Sequence, residues 1–363
     1  MTTFTAARSG IWRALRRPDA GLLIFRRFLP FLIPLVFFFI GTTETAALSD
    51  DPENSAFSVI DVHEHLLSSN EVSKLEAAMT RHGLSAMVLV ASPQEVFGRV
   101  ENHQAGFTDP TWNNNELLRI SKKALGKFYA FATYSPADTR MLEKLKAFIK
   151  NGGTGLKLYN GHYMFHDLFQ IRLDASHMMD VYAWCEENRI PVIFHVNSRY
   201  YWPELKHILD TYPKLTVDLP HFGMSIVDLD RICELFDGYE NVYSDISLGE
   251  GELGYTSLEY ISRYRDLFRT LVRKYKTRFL FGTDLVVTDD SAKDDAYVAG
   301  AIEGYRQFLE QDRYTSVLFE KYLENMNIEK TEENLFLNGL HLDRDTLKHI
   351  YEINPKKFLG LGP

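Results

Sequence analysis

The chain has 363 residues, 45% of them hydrophobic, which is enough to bury the core of one large domain. Its formal net charge of -9 argues against a nucleic-acid partner, because a phosphate backbone is met by a basic surface. The two cysteines, Cys185 and Cys233, form neither a disulfide framework nor a metal-ligand spacing, and each reads as a small buried hydrophobe on a helix.

In chain order, residues 1–48 differ from the rest. They carry Arg8, Arg13, Arg16, Arg17, Arg26 and Arg27, then an apolar run from Phe28 to Ile40 broken by Pro30 and Pro34, then small and polar residues to Ala47. A positive stretch, a short apolar stretch and small residues describe a secretory signal peptide. The run falls short of the roughly 20 residues of a membrane span. Counting back to Gly21 lengthens it at the cost of including Arg26 and Arg27, so an uncleaved membrane anchor is the second reading. The Arg26-Arg27-Phe28-Leu29 string also has a loose twin-arginine character. Export or membrane anchoring through residues 1–48 is therefore the expectation. A cytoplasmic enzyme with a disordered or mis-started N-terminus is the alternative.

Residues 56–363 read as one folded domain. Short apolar runs predict strands at Val59–His63, Ala86–Ala91, Phe128–Thr133, Gly155–Tyr159, Val192–Val196, Thr216–Leu219, Val242–Asp245 and Phe279–Gly282. Between them, apolar residues spaced by three and four predict helices. These cover Val72–His82, Met141–Lys150, His177–Asn188, Trp202–Tyr212, Asp228–Phe236, Leu258–Tyr275 and Ala296–Leu309, with a weaker one at Asn113–Leu125. Gln311–Pro363 reads as helical cover for the side or one end of the domain. Strand–helix alternation with buried strands implies a parallel sheet, and eight units imply a closed (β/α)8 TIM barrel. An open doubly wound sheet would want a Gly-rich turn after the first strand, where Asp61-Val62-His63-Glu64-His65 stands instead.

In such a barrel, the active site lies at the C-terminal strand ends. His63 and His65 end the first strand, Lys157 lies on the fourth, His195 on the fifth, His221 at the sixth and Asp284 at the eighth. Residues i and i+2 of a strand share a face, so His63 and His65 point inward together and Glu64 points away. Neutral imidazoles with one carboxylate suit zinc or a similar divalent ion, with a position left open for water. Taken singly, each residue has a plainer reading: His195 as a core histidine, His221 as a turn cap, Asp284 as a helix N-cap. Their joint occurrence at strand ends is what points to a metal site.

These motifs resemble the amidohydrolase superfamily, in the branch holding aminocarboxymuconate-semialdehyde decarboxylase and related hydrolases. The resemblance rests on Asp61-Val62-His63-Glu64-His65, Pro191 to His195, His221-Phe222-Gly223, Gly282-Thr283-Asp284 and the closing Ile353-Asn354-Pro355-Lys356-Lys357-Phe358-Leu359-Gly360, and spans Phe57 to Leu361. It implies one divalent metal on His63, His65, His195 and Asp284, with His221 assisting catalysis. Lys157 stands where other branches carry a carbamylated lysine bridging two metals, so one metal and two both remain open. The resemblance permits two chemistries. The first is hydrolysis of a C–N or C–O acyl bond (amide, lactone or ester), with Asp284 as general base and then acid. The alternative is nonoxidative decarboxylation of an unsaturated or aromatic acid. A non-catalytic barrel would be expected to lack these ligands.

Asp61 is a candidate for orienting a metal histidine, or for a hydrogen bond within the strand. Substrate determinants are expected in the loops after the fourth and fifth strands, at Tyr159, Asn160, His162, Tyr163 and His166, and at Asn197, Arg199, Tyr200, Tyr201 and Trp202. Arg199 could clamp a carboxylate or simply pair at the surface. The partner expected is a small molecule, with carboxylates among the options. Metal identity and oligomeric state stay open, a homo-oligomer included.

Overall fold

The computed structural model describes residues 57–98, 106–162, 165–250 and 252–362, and Asn54–Pro363 forms one compact unit. Its sheet contains β1 (Val59–Leu66), β2 (Leu84–Val90), β3 (Phe128–Thr133), β4 (Gly155–Gly161), β5 (Val192–Val196), β6 (Val217–Asp218), β7 (Val242–Asp245), β8 (Phe279–Leu280) and β9 (Leu285–Val287). All neighbours are parallel, in the order β8-β7-β6-β5-β4-β3-β2-β1-β9. Both faces of such strands are covered, so they are apolar almost throughout: every residue of β1 and β5 is buried.

Helices between the strands bury one stripe each. Met141–Lys150 turns Met141, Leu145 and Phe148 inward, at the spacing of one helix face. Helix Val72–His82 ends on Gly83 at φ 66°, a left-handed position that glycine takes without strain and that turns the chain directly into β2.

The regular closed eight-stranded barrel expected from the sequence is corrected to a distorted, partly open (β/α)8-like barrel. The expected eighth strand is two short pieces, β8 and β9, separated by Gly282-Thr283-Asp284. Asp284 has φ 55°, which no strand accommodates. The seam with β1 is bridged beside the break by single hydrogen bonds, Val62 N to Phe281 O (2.9 Å) and Asp284 N to His63 O (2.7 Å). Gly282 fits tightly there: a Cβ would sit 3.1 Å from His63 Cβ and 3.2 Å from Asp245 Cβ, so those side chains would have to give way.

The membrane anchor is corrected too. No helix among the described residues is long and apolar enough to cross a membrane, and residues 1–48, which carried the signal-or-anchor reading, lie outside the described residues. The single helix expected at Leu258–Tyr275 is two, Glu252–Arg263 and Arg265–Lys274.

The barrel interior holds two layers. The lower one packs Ile60, Val62, Ala86, Val88, Val90, Phe131, Ile193, Tyr243 and Leu280 around Phe358 and Leu359. Phe358 stacks on Phe131 at 6.2 Å and meets Tyr243 edge-on at 5.9 Å. The closing segment therefore plugs one end of the barrel, anchored by Asn354 Nδ2 donating to Lys276 O (2.7 Å) and Phe279 O (2.8 Å). Before that plug, the C-terminal part is not purely helical: β10 (Arg313–Tyr314) and β11 (Leu337–Asn338) form a small antiparallel pair. The upper layer is polar and holds the site.

Candidate metal centre

Strict alternation along β1 would put Val62 and His63 on opposite faces. The β1–β2 register shifts between Asp61 and Glu64, so three residues of β1 match two of β2. Val62 and His63 consequently both face inward, and His65 follows on the same side. The expectation of two inward histidines is met, with the reversal supplied by the bulge. Asp61 and Glu64 face the other way, into a buried polar cluster with Thr283. The Thr283 hydroxyl lies 2.9 Å from Asp61 Oδ2 and also contacts Glu64. Asp61 Oδ1 accepts from His63 N (3.0 Å). It is thus the strand-interior bond that forms, and no ring nitrogen is held by Asp61.

His63, His65 and Asp284 form the group that could hold a metal, with one donor atom from each lying within 4.8 Å of the others. Asp284 Oδ1 is 2.8 Å from His65 Nε2 and 3.2 Å from His63 Nε2. His63 Nδ1 donates to Asp245 Oδ2 at 2.8 Å, which fixes the tautomer and presents Nε2 as the ligand atom. His65 Nδ1 is held by Ser92 Oγ at 2.6 Å, and Ser92 Oγ is 3.0 Å from the Tyr159 hydroxyl. Burial pushes the pKa of His65 down to about 4, against the pull of Asp284, so the ring is neutral as a ligand must be. Burial would raise Asp284, but His63, His65 and His221 outweigh it and hold the carboxyl well below its usual range.

Lys157 is fully buried, and Nζ lies 2.7 Å from His63 Nε2. Burial lowers its pKa to about 8, while Asp284, Asp245 and Asp218 pull it back up. His221 sits in a left-handed turn, φ 61°, at the end of β6. Its Nδ1 faces Ser247 O (3.0 Å) and Oγ (2.9 Å), and Nε2 is 3.6 Å from Asp284 Oδ2.

His195 lies beside the triad without joining it. Its ring is 4.9 Å from that of His221 and 4.3 Å from that of His162, and Nε2 is buried without a hydrogen-bond partner. Burial, then His162 and His221, keep the ring neutral by lowering its pKa well below the ordinary value. The residues fit a divalent ion: two fixed imidazole nitrogens and an ionised carboxylate converge, and a third imidazole nitrogen nearby has nothing else to bind.

Other expected positions separate. Arg199 and Tyr200 are exposed, and Trp202 stacks under Arg231 and Lys206 instead of entering the centre. Tyr163 lies outside the described residues, as does the His166 side chain. Two participants have no signal in the sequence patterns used above, Asp245 and Ser92. Asp245 ends β7 just as Asp284 follows β8, and a strand-end carboxylate was the available clue.

The fold and the site together define a metal-dependent enzyme on a (β/α)8-like barrel. The profile described as Amidohydrolase matches residues 60–361, and the chain belongs to that family. Comparison with curated proteins gives no match. Among solved structures, a probable 2-pyrone-4,6-dicarboxylic acid hydrolase from Acinetobacter baumannii is similar at 14% identity and TM-score 0.53, over 84% of this chain and 100% of that one. A zinc-bound amidohydrolase from Burkholderia multivorans is similar at 14% identity and TM-score 0.52, over 84% and 99%. So is a 2,6-dihydroxybenzoate decarboxylase from Rhizobium, at 13% identity and TM-score 0.51, over 84% and 99%. These likenesses concern the fold.

Proposed function

We propose that the chain hydrolyses a C–N or C–O acyl bond, in an amide, lactone or ester, of a small organic acid. The observation carrying this reading is the placement of Asp284, with Oδ1 on His63 and His65 and Oδ2 turned toward His221. The ligand set we assign is His63, His65 and Asp284, joined by His195, with zinc the best match to these donors. A divalent ion there supplies Lewis acidity toward an acyl oxygen and makes water a nucleophile near neutral pH.

Asp284 is ionised, so its free oxygen accepts the proton of an attacking water and returns it to the leaving group. His221, whose Nδ1 donates to Ser247 O, presents an unprotonated Nε2 that accepts a hydrogen bond from the attacking water and orients it. Lys157 brings a cation to the same floor, where a substrate carboxylate would be attracted. A fully occupied second metal position would instead use Lys157 in carbamylated form.

Decarboxylation is the second reading, favoured by an aromatic wall beside the centre. Phe107 packs edge-on to Phe165 at 5.1 Å and to Phe169 at 5.2 Å, and Tyr159 meets Phe165 at 5.7 Å. Such a wall suits a flat, unsaturated acid. Both chemistries occur on similar folds, in the pyrone dicarboxylate hydrolase and the dihydroxybenzoate decarboxylase.

The test combines elemental analysis with product analysis. Wild-type protein should carry about one zinc per chain and Asp284→Asn much less, given the three convergent donors. Wild type, screened against lactones, N-acyl amides, esters and aromatic acids in 18O-water, should place the label in a product carboxyl. Carbon dioxide released together with an organic product that carries no label would replace the hydrolase with the lyase. Two ions per chain would make Lys157 a bridging ligand, and a metal-free protein after zinc supplementation would sink both readings.

A further inference from the structure

Asn160 is 3% exposed, and both of its amide atoms, Oδ1 and Nδ2, are buried without a hydrogen-bond partner. Among the described residues no other side chain has two polar atoms in that condition. A buried amide of this kind is costly, and folded proteins rarely tolerate it without a use.

The backbone shows where it faces. In β4, Leu158 matches Phe194 of β5 and Gly161 matches Val196, so three residues of β4 span two of β5. Residues level with one another on parallel neighbours share a face. Leu158, Phe194 and Val196 all pack in the outer core, which places Gly161 outward as well. Lys157 and Tyr159 face inward, onto His63 and His65 respectively. The extra residue therefore leaves Tyr159 and Asn160 successively on the inner face. Gly161 makes this crossing sterically feasible, because a Cβ there would lie 2.7 Å from Val196 Cα. On β5 the inward residue at this level is His195, whose Nε2 is the other orphan nearby.

We propose that Asn160 is a substrate-binding residue of the metal centre. Its Nδ2 donates to a carbonyl or carboxylate oxygen, and its Oδ1 accepts from a hydroxyl or amide N–H beside it. The ligand class is a small organic acid with such a donor next to an acceptor. The inference rests on the function proposed above, and it explains why a β4 bulge and an unsatisfied amide are kept together.

The test uses zinc-loaded wild type and Asn160→Leu, which keeps the number and branching of the side-chain heavy atoms and removes both polar atoms. Without substrate, the variant should melt about 2–4 °C higher, because a ligand-binding amide is a burden on the empty protein. A lower Tm, or failure to fold, overturns the proposal by making Asn160 structural. With the panel member turned over by wild type, KM should rise about tenfold or more at unchanged zinc content, as for loss of a paired polar contact. An unchanged KM overturns it as well. If wild type turns over nothing on the panel, the hydrolase reading fails separately, and the Tm comparison still decides whether Asn160 is held for a ligand.

Discussion

Replacing Asp245 with asparagine should weaken the metal centre without touching a ligand. Asp245 is fully buried, and its Oδ2 accepts from His63 Nδ1 at 2.8 Å. Its Oδ1 accepts from Ser247 Oγ (2.5 Å), Ser247 N (3.1 Å) and His221 N (3.1 Å). Burial alone would raise its pKa, but His63, the His221 ring and the Ser247 hydroxyl prevail and hold the carboxyl well below its usual range. An amide can keep the Oδ1 contacts, but it then turns an N–H toward His63 Nδ1. The ring must rotate or change tautomer, and Nε2 is no longer presented as a fixed ligand. Loss of such a partner costs about 10–100-fold in metal affinity, or about 1.4–2.8 kcal/mol at about 1.4 kcal/mol per tenfold. Zinc affinity measured by competition with a chromophoric chelator should show this, alongside a circular dichroism spectrum matching wild type. Wild-type zinc affinity in Asp245→Asn would refute the reasoning, because His63 would then need no orienting carboxylate.

Two further outcomes follow from packing. Phe358→Ala removes the ring that fills the closed end of the barrel between Phe131 and Tyr243. Urea unfolding should show about 3–5 kcal/mol lost, and a loss below about 1 kcal/mol would mean that the plug collapses to fill the gap. Cys185 is fully buried and burial raises its thiol pKa, whereas Cys233 is only partly buried. Alkylation of native protein at pH 8 followed by mass spectrometry should leave Cys185 unmodified until denaturant is added, and its rapid labelling would show that the helix carrying it opens.

The parts of this molecule legible in the sequence are those governed by local pattern. Seven strands and most helices follow from apolar periodicity, and His63, His65 and Asp284 follow from residue type at strand ends. What periodicity could not show is where it is interrupted. The β1 bulge reverses the facing of Val62 and His63, and it depends on pairing with β2, a partner more than twenty residues away. The break in the eighth strand lies where Gly282 packs closely against His63 and Asp245 and Asp284 turns left-handed, contacts that join distant parts of the chain. Asp61 neighbours the histidines in sequence, which leaves it open to either an orienting role or a strand-interior bond, and the structure gives it the second. Asp245, 182 residues from His63, holds the ring because the barrel brings β7 across to β1.

The same strand also explains how the strained parts are held. His221, Phe222 and Asp284 have φ values of 61°, 54° and 55°, and a non-glycine residue in that region costs on the order of 1–3 kcal/mol. Such backbone persists only where surrounding bonds over-determine it. His221 N donates to Asp245, Gly223 N to Ser244 Oγ, and the Ser244 hydroxyl in turn to Leu219 O, all from β7 to the turn after β6. Asp284 N is tied to His63 O, and His63 is tied through its ring to Asp245. The two groups assigned to proton transfer and water orientation therefore share one fixed origin in β7. A rigid origin keeps Asp284 and His221 in register with each other, since His221 is hydrogen-bonded to Asp245 directly and Asp284 to His63, the residue that Asp245 holds.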